Sequence, residues 1–314
     1  MRTLVTGGAG FIGSALVDRL VAEGHEVVVL DNLATESLAN LAGAQDSAGD
    51  RLEFVEADIC DERTESLVEG AAADVVFHLA AQADVRVSVE RPVFDAEVNV
   101  IGSLRVIDAA RRAGARKIVF AASGGTLYGE PHPDVLPVDE THPQAPVSPY
   151  GVAKKVVTHY LEAFHAMHGL DYTALALANV YGPRQDPHGE AGVVAIFAGR
   201  LLAGEACTIF GSGEQTRDFV YVGDVVDAFV RAIDSGPAAL CNVGTGVETS
   251  VNDLYAAMAS AAGERAEVVF APARAGEVDR SALDPSLAHA LLGWTPSTAL
   301  SAGVEATIDW FRSR

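Results

Sequence analysis

The chain has 314 residues, 49% hydrophobic and 21% charged, enough apolar side chain for a full core and unlike a disordered chain or a small disulfide scaffold. Asp and Glu number 43 against 22 Lys and Arg, and the resulting formal charge of −21 repels nucleic-acid phosphate and anionic membrane at long range. Anionic ligands are then met by a few placed arginines or by helix N-termini. Cys60, Cys207 and Cys241 form no Cys-x-x-Cys or Cys/His group, so they read as buried free thiols of a reducing compartment, with no metal site. Neither a signal-peptide profile nor an apolar run of ~18 residues is present, and the expected location is the cytoplasm.

Residues 2–6 read as a short buried strand, followed by a glycine-rich turn and a helical pattern from Phe11 to Glu23 that Gly24 stops. Val27 to Leu30 is a second strand, ending at Asp31. Strand patterns recur near 52–56, 74–79 and 116–121, separated by helical patterns near 61–70 and 90–113; a long helix runs from Tyr150 to about His168, and a last strand from Tyr172 to Leu177. Val- and Ile-rich runs that are apolar on both faces suit an α/β fold with a doubly wound, Rossmann-like parallel sheet. From Asn179 onward Gly and Pro are frequent, and shorter helical patterns occupy 191–204, 224–235, 251–262 and 301–312. This divides the chain into residues 1–178 and a smaller α/β unit over 179–314, some of whose segments return to the first.

Gly7-Gly8-Ala9-Gly10-Phe11-Ile12-Gly13 lies between the first strand and the first helix. Gly7 suits a sharp turn, Gly10 a backbone close to a pyrophosphate, and Gly13 tight helix packing, while the N–H groups at Phe11 and Ile12 open the helix toward a diphosphate. Asp31 is placed to accept from both hydroxyls of an adenosine ribose and would repel a 2′-phosphate, which selects NAD as cofactor. Asn32 follows on the same turn. Asp58-Ile59, after the third strand, is placed at the adenine, the alternative being that Asp58 only caps a helix.

Ser148-Pro149-Tyr150-Gly151-Val152-Ala153-Lys154 sets Tyr150 and Lys154 four residues apart on one face of a helix opened by proline. The pair suits removal of a proton from a hydroxyl whose carbon gives up hydride. A phenol of pKa ~10 is too weak a base near neutrality unless cations favour its phenolate, which Lys154 and a nicotinamide ring would do. Lys155 points elsewhere and reads as solvated.

In this order and spacing the motifs resemble the extended short-chain dehydrogenase/reductases, and among them the UDP-glucose 4-epimerase group. His78-Leu79-Ala80-Ala81-Gln82, Asn99, Tyr128-Gly129, Asn179-Val180-Tyr181-Gly182-Pro183-Arg184 and Gly213 to Val222 extend the resemblance over nearly the whole chain. It implies that Leu79, Ala80 and Ala81 line the cofactor, that Asn99 helps fix its position, and that Asn179, Arg217 and Arg274 hold a nucleotide diphosphate, with arginine forks gripping phosphate bidentately. His78 reads as a packed strand histidine.

The implied reaction inverts C4 of a UDP-hexose through a transient 4-keto sugar. Another nucleotide-sugar dehydratase or oxidoreductase, and an NAD-binding sensor without catalysis, are the alternatives. The family usually carries Ser or Thr four residues before the tyrosine of its Val-Tyr-Gly segment, and here that position is Gly124. The bridging hydroxyl is therefore expected from Ser123, or else from Thr126. Gly125 and Thr126 also replace the acid pair of related dehydratases and the glutamate of related decarboxylases. Ser281, three residues before Asp284, is small where the family limits room at sugar C2, which adds UDP-GlcNAc and UDP-GalNAc to the expected substrates. The helical patterns at 90–113 and 149–168 match the family's homodimer contact.

Overall fold

A computed structural model describes residues 1–314 except 36, 188–191, 264–265 and 274–277. In chain order the strands are β1 (Arg2–Thr6), β2 (Glu26–Asp31), β3 (Leu52–Glu56), β4 (Val75–His78), β5 (Lys117–Ser123), β6 (Asp171–Leu177), β7 (Asn179–Tyr181), β8 (Cys207–Phe210), β9 (Thr216–Arg217), β10 (Phe219–Tyr221), β11 (Ala239–Val243), β12 (Thr249–Ser250) and β13 (Val268–Ala271). Seven of them form one parallel sheet in the order β11-β6-β5-β4-β1-β2-β3. Val75, Phe77, Ile118 and Val119 at its centre are fully buried, because helices cover both faces, and this removes the polar alternation of a half-exposed strand. Strand order reverses between β1 and β4, so the connections leaving their carboxyl ends part and open a crevice there.

Strand β11 has no counterpart among the expected strands. Ala-Leu-Cys-Asn-Val holds one β-branched residue, yet it pairs with β6 over five positions, from Ala239 opposite Thr173 to Val243 opposite Leu177. The helical pattern at 90–113 is also broken. Arg91 leaves helical geometry ahead of Pro92, and Glu97–Gly102 is a π-helical turn between the Pro92–Ala96 and Ser103–Arg112 helices. Cys207 and Cys241 are buried as expected, but Cys60 is only half-buried.

Beyond β6 the chain builds three two-stranded pairs, β7 with β10, β8 with β13 and β9 with β12. A second core, including Tyr181, Phe197, Leu254, Met258 and Ile308, joins the Val193–Ala203, Val251–Ala262 and Leu300–Arg312 helices. Only Ala178 separates β6 from β7, so Asn179 stands at the carboxyl edge of the large sheet.

Candidate active site

The glycine turn is fixed by contacts that exclude side chains. Gly7 has φ +71°, and a Cβ there would lie 2.6 Å from Ala80 N across the β1/β4 divide; a Cβ on Gly13 would overlap Gly7 O. Gly10 caps the Phe11–Ala22 helix, whose first internal bond runs from Ser14 N–H to Gly10 O at 2.9 Å, leaving the N–H groups of Phe11, Ile12 and Gly13 ahead of the hydrogen-bonded ladder. Asp31, 9% exposed, accepts from Ala9 N–H and Leu33 N–H, each at 2.9 Å. Asn32 donates to Asp58 at 2.8 Å, which joins the Asp31-Asn32 turn to the Asp58-Ile59 turn. Asp58 takes Cys60 N–H at 2.8 Å in a turn; the next helix starts only at Thr64, so the helix-cap alternative falls away. Asn40, which no motif flagged, donates to Ala9 O at 2.9 Å and braces the turn from outside. A cradle with no room for a Cβ, open N–H groups and a ribose-height carboxylate fit an NAD dinucleotide.

Pro149 opens the Pro149–His168 helix, and Ser148 Oγ accepts from Gly151 N–H at 3.2 Å. One turn on, Lys154 is 3% exposed: its Nζ donates to Ala121 O at 2.9 Å and lies 4.9 Å from the Phe120 ring centre and 5.6 Å from that of Tyr150. Burial pushes the lysine down to about 8, against the pull of Asp95. Asp95 itself is buried, raised by desolvation, and accepts from Gln82 Nε2 at 2.9 Å and Asn99 Nδ2 at 2.8 Å. Sequence reasoning passed over this acid; its only signal is the four-residue spacing to Asn99. Lys155 is partly exposed, and its Nζ donates to Gln144 O at 2.8 Å.

The segment after β4 is held through buried polar groups. Ser103 Oγ gives its single proton to Asn99 O at 2.7 Å, so it must accept from His78 Nε2–H at 2.8 Å, and His78 Nδ1 then accepts from Thr6 Oγ1 at 2.7 Å. Burial, then the charge on Lys154, push His78 down to about 3, and the ring is neutral as that chain requires. Thr6 Oγ1 in turn accepts from Ala80 N–H at 3.3 Å. Asn99 bonds Gln82 N–H and Gln82 O at 2.9 and 2.8 Å. Leu79, Ala80 and Ala81 are thereby pinned beside Gly7 at both ends of the segment, with His78 and Asn99 holding it from behind.

Ser123 ends β5 half-buried, and among the described residues its hydroxyl has no hydrogen-bond partner, whereas Thr126 Oγ1 donates to Ser123 O at 3.3 Å. A Cβ on Gly125 would meet only Asn179 Oδ1, at 3.6 Å, so Asn179 stands against this segment. Asn179 and Arg217 line one cavity of about 180 Å³ with Thr208, Phe210, Gln215 and Phe219, hydroxyl, aromatic and amide groups that sequence reasoning missed. Ser281 lies on a stretch drawn to β9 by Thr216 N–H to Asp279 O at 3.0 Å and by the Arg280–Glu248 ion pair. Asp218, 1% exposed, accepts from the N–H groups of Thr245, Gly246 and Leu283 and from Thr245 Oγ1. Arg184 turns to Asp18 on the first helix at 2.5 Å. Arg274 lies outside the described residues.

Residues 3–244 match the NAD dependent epimerase/dehydratase family. The chain belongs to this family. It is 52% identical over 317 residues to a UDP-glucose 4-epimerase of Mycolicibacterium smegmatis, covering 100% of this chain and 99% of that protein. It is also similar to the crystal structure of the Thermotoga maritima UDP-glucose 4-epimerase with UDP-glucose, at 45% identity and TM-score 0.94 over 100% and 99% of the two chains. The Thermus thermophilus UDP-glucose 4-epimerase in complex with NAD is 45% identical, with TM-score 0.92 over 99% of each chain.

Proposed function

We infer that the chain is an NAD-dependent epimerase inverting C4 of a UDP-hexose. The observation that carries this reading is the buried Lys154 ammonium, fixed on Ala121 O beside the Tyr150 ring at the end of β5. When bound, NAD supplies at its nicotinamide the acceptor and then the donor of the C4 hydride. Tyr150, as phenolate, takes the 4-hydroxyl proton and later returns it to the same oxygen; Lys154 favours the phenolate by its charge. The Ser123 hydroxyl, without a hydrogen-bond partner among the described residues, bridges the sugar oxygen and Tyr150. Thr126 is the weaker candidate, its proton being given to Ser123 O.

Firm contacts on uridine and diphosphate, with looser ones on the sugar, let the keto sugar turn over in place. Asn179, Arg217 and Arg274 supply the diphosphate contacts, while Gly7 to Gly13, Asp31, Asn32, Asp58, Ile59 and Leu79 to Ala81 hold NAD, positioned by Asn99. Residues 1–178 thus form the NAD unit and residues 179–314 mainly the nucleotide-sugar unit. The small Ser281 leaves room for an N-acetyl group, so UDP-GalNAc is a substrate beside UDP-galactose. Two copies pair through the helical segments at 90–113 and 149–168, where exposed Val152, with Val147 just ahead of the second segment, lines a hollow of about 530 Å³ beside the exposed Val93. Three unpaired thiols suit the cytoplasm. Among the described residues, no helix is long and apolar enough to cross a membrane.

Purified protein given UDP-galactose or UDP-GalNAc without added cofactor is expected to form UDP-glucose or UDP-GlcNAc, separated by chromatography, with no net nicotinamide reduction. Tyr150→Phe is expected to lower kcat about 10²- to 10⁴-fold. Accumulation of a 4-keto-6-deoxy sugar, or consumption of the cofactor, overturns the reading.

A further inference from the structure

We propose that Leu283 is a positioning residue that closes position 124 to any side chain and thereby assigns the catalytic hydroxyl to Ser123. A Cβ on Gly124 would overlap Leu283 Cδ1, come within 3.2 Å of its Cδ2 and stand 2.9 Å from Ala176 O. The space a residue at 124 would use is therefore already filled by leucine. Leu283 is 1% exposed. Its backbone bridges Val138, flanked by Val138 N–H to Ala282 O at 3.0 Å and Asp284 N–H to Val138 O at 2.8 Å, and its own N–H reaches Asp218 at 3.2 Å. On its other side a Cβ at Gly244 would lie 3.1 Å from Leu283 Cβ, so the side chain is packed from two directions.

The consequence is chemical. With 124 reduced to a backbone position, the hydroxyls of this segment are those of Ser123 and Thr126, and the Thr126 proton is engaged with Ser123 O. Leu283 touches neither the sugar nor the cofactor in this scheme. It acts through Gly124, by keeping the end of β5 against β6, where Ser123 pairs with Leu177. The proposal rests on the reading of Ser123 as the bridging hydroxyl, and its test separates the two.

Ser123→Ala is introduced into the unaltered enzyme and into the Gly124→Ser/Leu283→Ala double variant, and kcat for UDP-galactose is measured in each. In the unaltered background the loss is expected to be about a hundredfold or more. In the double variant, where the introduced hydroxyl has been given room apart from a shift of a few tenths of an ångström off Ala176 O, the loss is expected to fall to about tenfold or less. An equal loss in both backgrounds overturns the role of Leu283 and leaves Ser123 standing; no loss in the unaltered enzyme overturns Ser123 itself. Thermal unfolding of NAD-loaded Gly124→Ala, with and without Leu283→Ala, covers the case in which the triple variant does not fold. The overlap predicts that Leu283→Ala raises the Tm of the Gly124→Ala protein although it lowers that of the unaltered one. A Gly124→Ala protein as stable as the parent overturns the proposal.

Discussion

At the proposed cofactor end of the crevice the shaping contacts are backbone to backbone: Gly7 against Ala80 N, Gly13 against Gly7 O, and N–H groups left over at the start of a helix. At the proposed substrate end they run through side chains that gather distant segments: the buried Asp218 holds Thr245, Gly246 and Leu283, and the part-exposed Glu248 pairs with Arg280 while accepting from Thr216. A backbone cradle tolerates almost no added atom but needs few particular side chains. A side-chain hub tolerates change in shape provided its acceptors stay in place. The two halves should therefore fail in different ways.

The largest expected effect is Gly13→Ala. Its methyl would strike Gly7 O and lie 2.8 Å from Gly8 Cα, backbone atoms fixed by the β1 turn, so the helix must move off the strand at a cost of about 3 kcal/mol or more. NAD retained through purification, read by absorbance after denaturation, should fall below a tenth of the parent's. Retention near the parental level would mean that the cradle yields more readily than its geometry implies.

Lys154→Met comes next, with kcat down about 10²- to 10³-fold at pH 7. In the parent the lysine loses its proton as pH rises through about 8, the neighbouring cation is lost, and the phenol drifts back toward its ordinary ~10, so kcat should decline above pH 8. Methionine has no charge to lose, and the variant's residual rate should instead climb toward pH 10. Stability runs the other way. The folded-state value of about 8 lies below the ordinary 10.5, so the cost of a buried charge is present below pH 8 and is relieved as pH rises to 10.5. Urea unfolding at pH 7.5 and 9.5 should show this gain in the parent and not in Lys154→Met; equal slopes would remove the lysine from the account.

The contrast between the halves also explains what the sequence discloses. Glycines seven to thirteen, Asp31 and the Tyr150–Lys154 spacing are local patterns, because the backbone shapes and helix face they encode are themselves local. Asp218 is one acid in a Thr-Arg-Asp-Phe run, and nothing within ten residues of it names Thr245 or Leu283 as a partner. Strand β11 is invisible for a related reason: its place in the sheet is set by β6, not by its own propensity. The same blindness covers Gly124, which reads as a departure until Leu283 is seen in its space.

The smallest expected effect, that of Asp218→Asn set against Asp218→Ala, tests what the hub runs on. Asp218→Ala strands the buried N–H of Leu283, at about 1–3 kcal/mol, and at a smaller cost the part-buried N–H groups of Thr245 and Gly246, and KM for UDP-galactose should rise tenfold or more while NAD retention holds. Asp218→Asn should do far less. Oδ2, kept as the amide oxygen, still accepts from Gly246 and Leu283 N–H and from Thr245 N–H at 3.0 Å; the new NH₂ faces Thr245 Oγ1, which can turn its proton away and accept, and the one contact given up is the 2.8 Å bond from Thr245 N–H to Oδ1. Loss of the charge removes a desolvation burden that holds the Asp218 carboxyl above its ordinary range. The asparagine variant is therefore expected within about threefold of the parent in KM and about 1 kcal/mol in stability, by urea titration. If it instead matches alanine, the charge rather than the count of acceptors holds the substrate half together, and the contrast with the backbone-built cofactor half must be redrawn around electrostatics.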